Sequence, residues 1–292
     1  SPGYDEQHRE FSDVIEFARA SRRDLTPVPR TRSGKVQRAI YTSASIPRID
    51  RNSLCPKSTP KRISDETAEA ESDLGPRPQD VYARPRTLPS PNLSVIHVGA
   101  NTGQERGKYE ESELRVLWVE PIPKVFDEWK SNISQLPRQR AIQALVTDRA
   151  YETYQFHVAN NHGASSSILE LKDHKDIWPY VECTETISLA GTTLTSLVQE
   201  NDIDSSTFDA LIMDTQGSEM PVLKGAEPML NRFKFVKTEV ADFESYAGRC
   251  QLTDLERFMN GHGFREFSRH AFARHPNGGA CYDVIYKRKA NN

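Results

Sequence analysis

From residue 93 onward, short apolar runs alternate with stretches of helical spacing, the pattern of a parallel sheet with crossover helices. Apolar runs predict strands over 93–98 and 115–119, with a helix over 103–111 opened by Gly103 between them. Pro123 in a first turn predicts a helix over 123–133, and a third strand over 140–146 ends at Thr147-Asp148. Residues 153–158 and 185–189 alternate like an inserted hairpin, joined by the long loop 160–180. Thr192 or Thr193 caps the next helix, which runs to Gln199. A strand over 208–213 delivers Asp214, Gly217 turns the chain, Ser218 can cap, and Pro221 is tolerated in the first helical turn. A strand over 233–238 ending at Glu239, a helix over 252–261, and strands over 264–269 and 280–287 complete the pattern. The expectation is an α/β fold with a mostly parallel seven-stranded sheet, helices on both faces and an inserted β-hairpin.

In open α/β sheets, ligands sit outside the carboxyl ends of the strands. Gly99, Glu120, Asp148, Asp214 and Glu239 all fall at such predicted ends. The first of these ends is Val95-Ile-His-Val-Gly99-Ala-Asn-Thr-Gly103. Its glycines allow the backbone of Gly99, Ala100, Asn101, Thr102 and Gly103 to approach a ligand closely. Glu120, closing Val116-Leu-Trp-Val-Glu120-Pro121 some twenty residues on, suits the two hydroxyls of a ribose. The turn lacks G-x-G-x-x-G, and no G-x-x-x-x-G-K-[ST] follows any apolar run. An adenosine cofactor without a pyrophosphate cradle is indicated, and S-adenosyl-L-methionine fits. The competing view is an ordinary glycine-containing turn of an α/β domain.

Composition changes the picture near residue 92. Residues 1–92 carry 11 of the 18 prolines, many Arg and Ser, and a single stretch of helical spacing, with Phe11, Val14, Ile15 and Ala18 on one face. Such a segment buries too little surface for a core of its own. The expected division is therefore an irregular extension over 1–92 and a catalytic domain over 93–292. Within the extension, Pro29-Arg-Thr-Arg-Ser-Gly-Lys35-Val-Gln-Arg38 resembles the lysine loop of AMP-forming acyl-CoA ligases over ten residues, but reads more simply as a basic linker. A formal charge of −3 gives no global field for nucleic acid. Four scattered cysteines, no signal-peptide pattern and no apolar stretch near ~20 residues lead to the expectation of a cytoplasmic protein with reduced thiols and no membrane span.

Several of these motifs resemble the FkbM family. They are His97-Val-Gly-Ala-Asn-Thr-Gly103, Val119-Glu-Pro121, Ser165-Ser-Ser-Ile-Leu169, Asp214-Thr-Gln-Gly-Ser-Glu219-Met-Pro-Val-Leu-Lys-Gly-Ala226, Thr238-Glu239 and Tyr282-Asp-Val-Ile-Tyr286, in the family's order from about 93 to 288. The resemblance implies a Rossmann-like class I methyltransferase that moves a methyl group from S-adenosyl-L-methionine to a hydroxyl of a sugar, glycan or natural product. It implies cofactor contacts from His97, Gly99, Ala100, Asn101, Thr102, Gly103, Glu120, Pro121, Thr147, Asp148 and Asp214. Gln216 would face the acceptor, and Asn160, Ser166 and Ser167 would face acceptor or cofactor or else serve only local turn chemistry. The family usually carries Asp where His97 stands, so one charge near the cofactor's methionyl end is missing.

Methyl transfer is alignment work, helped by a base or electrostatic clamp on the hydroxyl. Asp214, Glu239, His162 and Glu219 are the candidates. Asp214 suits the cofactor's charged end and Glu239 the acceptor hydroxyl. His162 titrates near neutral pH but could equally be a solvated loop side chain. Glu219, at a helix start, is either a weak base or a cap. Asp214, Glu239 and Asp242 could in principle hold a cation, yet no spacing requires one, and no metal is expected. Two alternatives stay open. One is an RNA ribose 2′-O-methyltransferase, which would need a basic face with stacking aromatics. The other is a catalytically degenerate binding module marked by His97.

Overall fold

A computed structural model of the chain describes residues 93–290. The extension 1–92, with its Phe11–Ala18 face and the Lys35 segment, lies outside the described residues.

The central strands are β1 (Ser94–Val98), β2 (Arg115–Glu120) and β7 (Ala210–Met213). β1 and β7 are buried throughout, and only Arg115 of β2 is exposed, as expected for parallel strands covered on both faces. Around them run β3 (Gln139–Gln143), β8 (Phe235–Ala241), β9 (Phe264–Arg274) and β10 (Ala280–Arg288). Among the described residues these seven form one sheet in the order β3-β2-β1-β7-β8-β10-β9. All neighbours are parallel except β10, which runs antiparallel between β8 and β9. The order reverses between β1 and β7, so the crossovers leave in opposite directions and a crevice opens at the carboxyl ends of these strands.

Alternate side chains of each strand build two layers. Val116, Trp118, Ala210 and Ile212 pack with Tyr109 of α1 (Arg106–Glu111) and with Trp129 and Ile133 of α2 (Pro123–Ile133). Leu117, Val119, Leu211 and Met213 pack on the opposite face against the helices that follow the hairpin. After β4 (Leu145–Val146), β5 (Thr153–Ala159), the short α3 (His174–Ile177) and β6 (Cys183–Thr192), these are α4 (Leu194–Glu200), α5 (Glu219–Gly225) and α6 (Leu252–Gly261). Trp118 and Trp129 are fully buried, with ring centroids 5.0 Å apart at 80°. Each such side chain contributes on the order of 2–3 kcal/mol by burial alone.

The expected architecture is present, and the differences are local. The third strand is two: β3 stays in the main sheet, whereas β4 leaves it to pair with Gly191 and Thr192. The hairpin β5–β6 with β4 thus makes a separate three-stranded sheet. β8 does not end before Glu239 but runs to Ala241, because β10 pairs with it along its length and sets Asp283 opposite Glu239. Glu239 is therefore an interior strand residue whose acid side chain faces a cavity, a placement that an apolar run cannot announce. The first helix begins at Arg106, since Gly103 has a left-handed φ of 65° and closes a turn on Ala100 instead. The 160–180 loop contains α3. Thr193 caps α4 by accepting from Ser196 N–H, but Ser218 does not cap α5, because its hydroxyl donates to the Thr215 carbonyl.

Candidate functional site

Beneath the crevice lies a cavity of about 330 Å³, within the range of small-molecule sites. Its first wall is the turn after β1. Gly99 holds φ 84°, and a Cβ there would lie 1.9 Å from the Asp214 carbonyl oxygen, so only glycine lets β1 and β7 approach this closely. At Gly103 a Cβ would enter the Trp129 ring, and this glycine faces the core rather than the cavity. The backbone N–H groups of the turn are also spent within the protein. Gly99 and Ala100 donate to the Val119 carbonyl, Asn101 to Glu120, Thr102 to the Asn101 side chain, and Gly103 to the Ala100 carbonyl. The glycines thus serve packing and turn geometry, not a cradle of free donors. Gly99, Ala100 and Asn101 line the cavity; Thr102 and Gly103 do not.

Glu120 is buried at the end of β2, in the wall beside Pro121 and Ile122. Its Oε2 accepts from Asn101 N–H (2.8 Å) and its Oε1 from Ile122 N–H (2.9 Å), which fixes the carboxylate plane. Burial pushes its pKa up to about 7 against the pull of these two N–H groups. Each oxygen keeps a second lone-pair direction for a ligand hydroxyl.

His97 also lines the cavity. Its ring stacks on Trp118 (4.9 Å, 23°), and Nδ1 lies 2.9 Å from the Tyr109 hydroxyl. Burial, opposed by Glu105 and aided by Lys237, lowers its pKa to about 4, so the imidazole is neutral. It is both a satisfied core histidine and a cavity wall.

Asp214 and Glu239 form the floor, each half-exposed to the cavity. Asp214 accepts a hydrogen bond from Gln216 Nε2. Burial raises its pKa to about 7; Gln216 opposes that shift, and the nearby acids Glu219, Glu105 and Asp283 add to it. Glu239 is driven well above the usual carboxylate range by burial, then by Asp214 and Asp283, with Lys237 opposing. Lys237, absent from the sequence reading, lines the same wall and pairs with Asp283 at 2.8 Å. A lysine within an apolar strand gave no periodic signal.

Glu219 is fully spoken for. Its Oε1 accepts from Gly217 N–H (3.0 Å) and the Thr215 hydroxyl (3.3 Å), and Oε2 faces Arg249 at 3.7 Å with both side chains about 95% buried. It holds the turn after β7, in keeping with the capping alternative and against a base.

The remaining expected residues divide. Gln216 and Ser166 reach the cavity, although Ser166 Oγ accepts from Ala159 N–H. His162 does not reach it: the residue is exposed, has φ 56°, and gives only its carbonyl to Asn101 Nδ2. Asn160 is exposed and brackets the loop through Tyr180 O and Glu182 N. Ser167 bonds Leu169 N–H. Thr147 and Asp148 lie beyond the cavity because the chain has already turned into the small sheet, where Thr147 N–H donates to Thr192 O. Leu145 and Val146 line the wall in their place. Asp242 accepts from Ala280 N–H and the Tyr282 hydroxyl, away from Asp214. Among the described residues no group of three or more His, Cys, Asp or Glu is gathered to hold a metal, and no helix is long and apolar enough to cross a membrane. Cys183, Cys250 and Cys281 are free thiols.

The second wall was not visible in sequence. It consists of His174, Trp178, Ser245, Tyr246 and Arg249, contributed by the insert and the segment after β8, with Phe272 from β9.

Comparison with known proteins gives the family. Residues 97–266 match the family described as Methyltransferase FkbM domain. The 2-O-methyltransferase NoeI of Sinorhizobium fredii (strain NBRC 101917 / NGR234) is 27% identical over 173 residues, 56% of this chain and 70% of its own. Among solved structures, M. capricolum TrmK in complex with the cofactor product S-adenosyl-homocysteine is similar over 68% of this chain and 63% of its own, with 5% identity and a TM-score of 0.40. A Burkholderia thailandensis 1,6-didemethyltoxoflavin-N1-methyltransferase is similar over 68% and 72%, with 15% identity and a TM-score of 0.36. These are loose structural matches. The family match covers more than half of the chain, which belongs to the FkbM methyltransferases.

Proposed function

We propose that this FkbM methyltransferase transfers a methyl group from S-adenosyl-L-methionine to a hydroxyl of a sugar, glycan or natural-product acceptor. The observation that carries the reading is the acid set at the β1/β7 switch point: Glu120, buried at the end of β2, with Asp214 and Glu239, partly buried, on the floor. An excess of partly desolvated carboxyls is costly when empty and favourable around a cation, and a ribose diol suits a fixed carboxylate. This donor set fits the cofactor's adenosine on one side and its charged sulfonium and ammonium groups on the other. The named relative, a 2-O-methyltransferase, supports oxygen as the acceptor atom.

When bound, the cofactor supplies an electrophilic methyl carbon on a sulfonium. Glu120 holds the ribose hydroxyls; Gly99, Ala100 and Asn101 shape the turn around it; Asp214 ionises next to the positive end. His97, neutral, replaces the acid usual at its position with a hydrogen-bonding wall. Glu239, held protonated beside Asp214, donates a hydrogen bond rather than taking a proton. Turnover of methyl-labelled S-adenosyl-L-methionine with a panel of methyl glycosides, polyketide alcohols and oligoribonucleotides tests the reading. Label in a glycoside or alcohol is expected. Label in RNA alone, or none anywhere despite cofactor binding, would overturn it.

A further inference from the structure

His174 is 3% exposed and lines the cavity, yet its Nδ1 has no hydrogen-bond partner. A buried imidazole nitrogen left unpaired costs about 1–3 kcal/mol, so a native site that keeps one calls for a reason. Its placement is rigid. His174 N–H donates to Ser245 O (3.1 Å), Lys172 N–H to the same carbonyl (3.0 Å), and Ala247 N–H to Glu170 O (2.9 Å), so the insert is zipped to the segment after β8. On the other side of α3, Asp176 bonds His275 (3.0 Å) from the β9–β10 hairpin. The ring is flanked by Trp178 (4.6 Å) and Tyr246 (5.3 Å). Tyr246 in turn donates its hydroxyl to Gln216 Oε1 (2.7 Å), and Gln216 bonds Asp214. His174 therefore stands two side chains away from Asp214 on the acid floor.

We propose that His174 is the proton acceptor for the substrate hydroxyl, and that Trp178 and Tyr246 frame a saccharide subsite around it. This rests on the reading of the cavity as a methyl-donor pocket. Trp178 is half-buried and offers indole surface to the C–H face of a pyranose, while the hydroxyl meets the unpaired Nδ1. As the hydroxyl oxygen forms its bond to the methyl carbon, the carbon–sulfur bond breaks with its electron pair returning to sulfur. The hydroxyl proton passes to Nδ1, and the imidazolium then releases it to water. Burial, then the neighbouring Arg249, lowers the pKa of the free imidazole to about 4, so the ring is neutral but a weak base, and it takes the proton only as the hydroxyl oxygen gains positive charge on bonding to the methyl carbon.

The test uses the full chain with isotope-labelled histidines, S-adenosyl-L-homocysteine, and methyl glycosides as acceptor probes. With S-adenosyl-L-homocysteine bound, a methyl glycoside is expected to shift the His174 imidazole resonance. His174→Gln should bind S-adenosyl-L-methionine within about twofold of wild type yet transfer methyl to the glycoside ~10²-fold more slowly. Added imidazole should restore part of the turnover of His174→Ala, which a purely structural role would not allow. The proposal is overturned if the wild type binds the cofactor but no glycoside shifts the resonance or accepts methyl. Wild-type transfer by His174→Gln would overturn it too. Absence of cofactor binding by the wild type would instead overturn the donor-pocket reading itself, and this proposal with it.

Discussion

The two walls of the cavity are built in different ways. The wall made by the turn after β1 and by Glu120 is local: each of its backbone donors is satisfied within about twenty residues. The opposite wall is assembled from distant segments, with His174 pinned to Ser245 across 71 positions of sequence. One wall is a motif and the other a product of tertiary structure. On the function proposed above, the first wall would hold the donor and the second the acceptor, so acceptor choice could change without disturbing donor binding.

The largest effect is expected where the two walls meet. Glu219 braces the turn after β7 and faces Arg249 of the second wall, both buried. Glu219→Ala leaves a buried guanidinium without its counter-ion and should cost about 3–5 kcal/mol in chemical denaturation. Within the first wall, Gly99→Ala combines φ 84° with an overlap on the Asp214 carbonyl and should cost about 2–4 kcal/mol. Gly248→Ala, at φ 71° with nothing within 4 Å of the added Cβ, should cost only about 1 kcal/mol. Equal costs at the two glycines would mean that the close approach of β1 and β7 is not what requires glycine at position 99.

What was legible in sequence follows the same division. The alternation of apolar runs and helical spacing located the main-sheet strands and the crossover helices, because central strands buried on both faces read as unbroken Val, Ile, Leu and Trp. Glu120 could be found because an acid closing a buried strand stands out. Lys237 and Glu239 could not be placed correctly, since both lie inside β8 and owe their setting to β10 and Asp283. His162 stands out in sequence as a near-neutral side chain in the long inserted loop; His174, further along that loop, is brought to the cavity by contact with Ser245 and Tyr246 and not by anything its sequence position shows. Thr147 and Asp148 were misplaced because the departure of β4 to a second sheet leaves no mark on the apolar pattern.

Smaller effects sharpen the electrostatic side of the comparison. The raised pKa values of Glu120 and Asp214, both about 7, mean that the empty site is partly protonated at neutral pH. A bound cation favours the ionised forms, so cofactor binding should release protons and tighten several-fold from pH 6 to 8, then level off. Calorimetry in buffers of different ionisation enthalpy measures both quantities, and affinity that falls over this interval would contradict the assignment. Glu239→Gln is the mildest case, because the amide mimics the protonated acid. A carboxyl with a raised folded-state pKa stabilises fully below its unfolded value, and that contribution is lost as pH rises through the folded value. The variant should therefore match wild type near pH 5 and exceed it in thermal stability above neutrality.

The central claim is that the cavity at the β1/β7 switch point holds S-adenosyl-L-methionine through Glu120. Calorimetric titration of the cofactor into folded wild type and folded Glu120→Ala tests it most directly. The predicted result is binding by the wild type and a loss of roughly 1.5–3 kcal/mol in the variant, the range for hydrogen bonds to a charged group. Equal affinity in the two proteins, or no binding by the wild type, would contradict it.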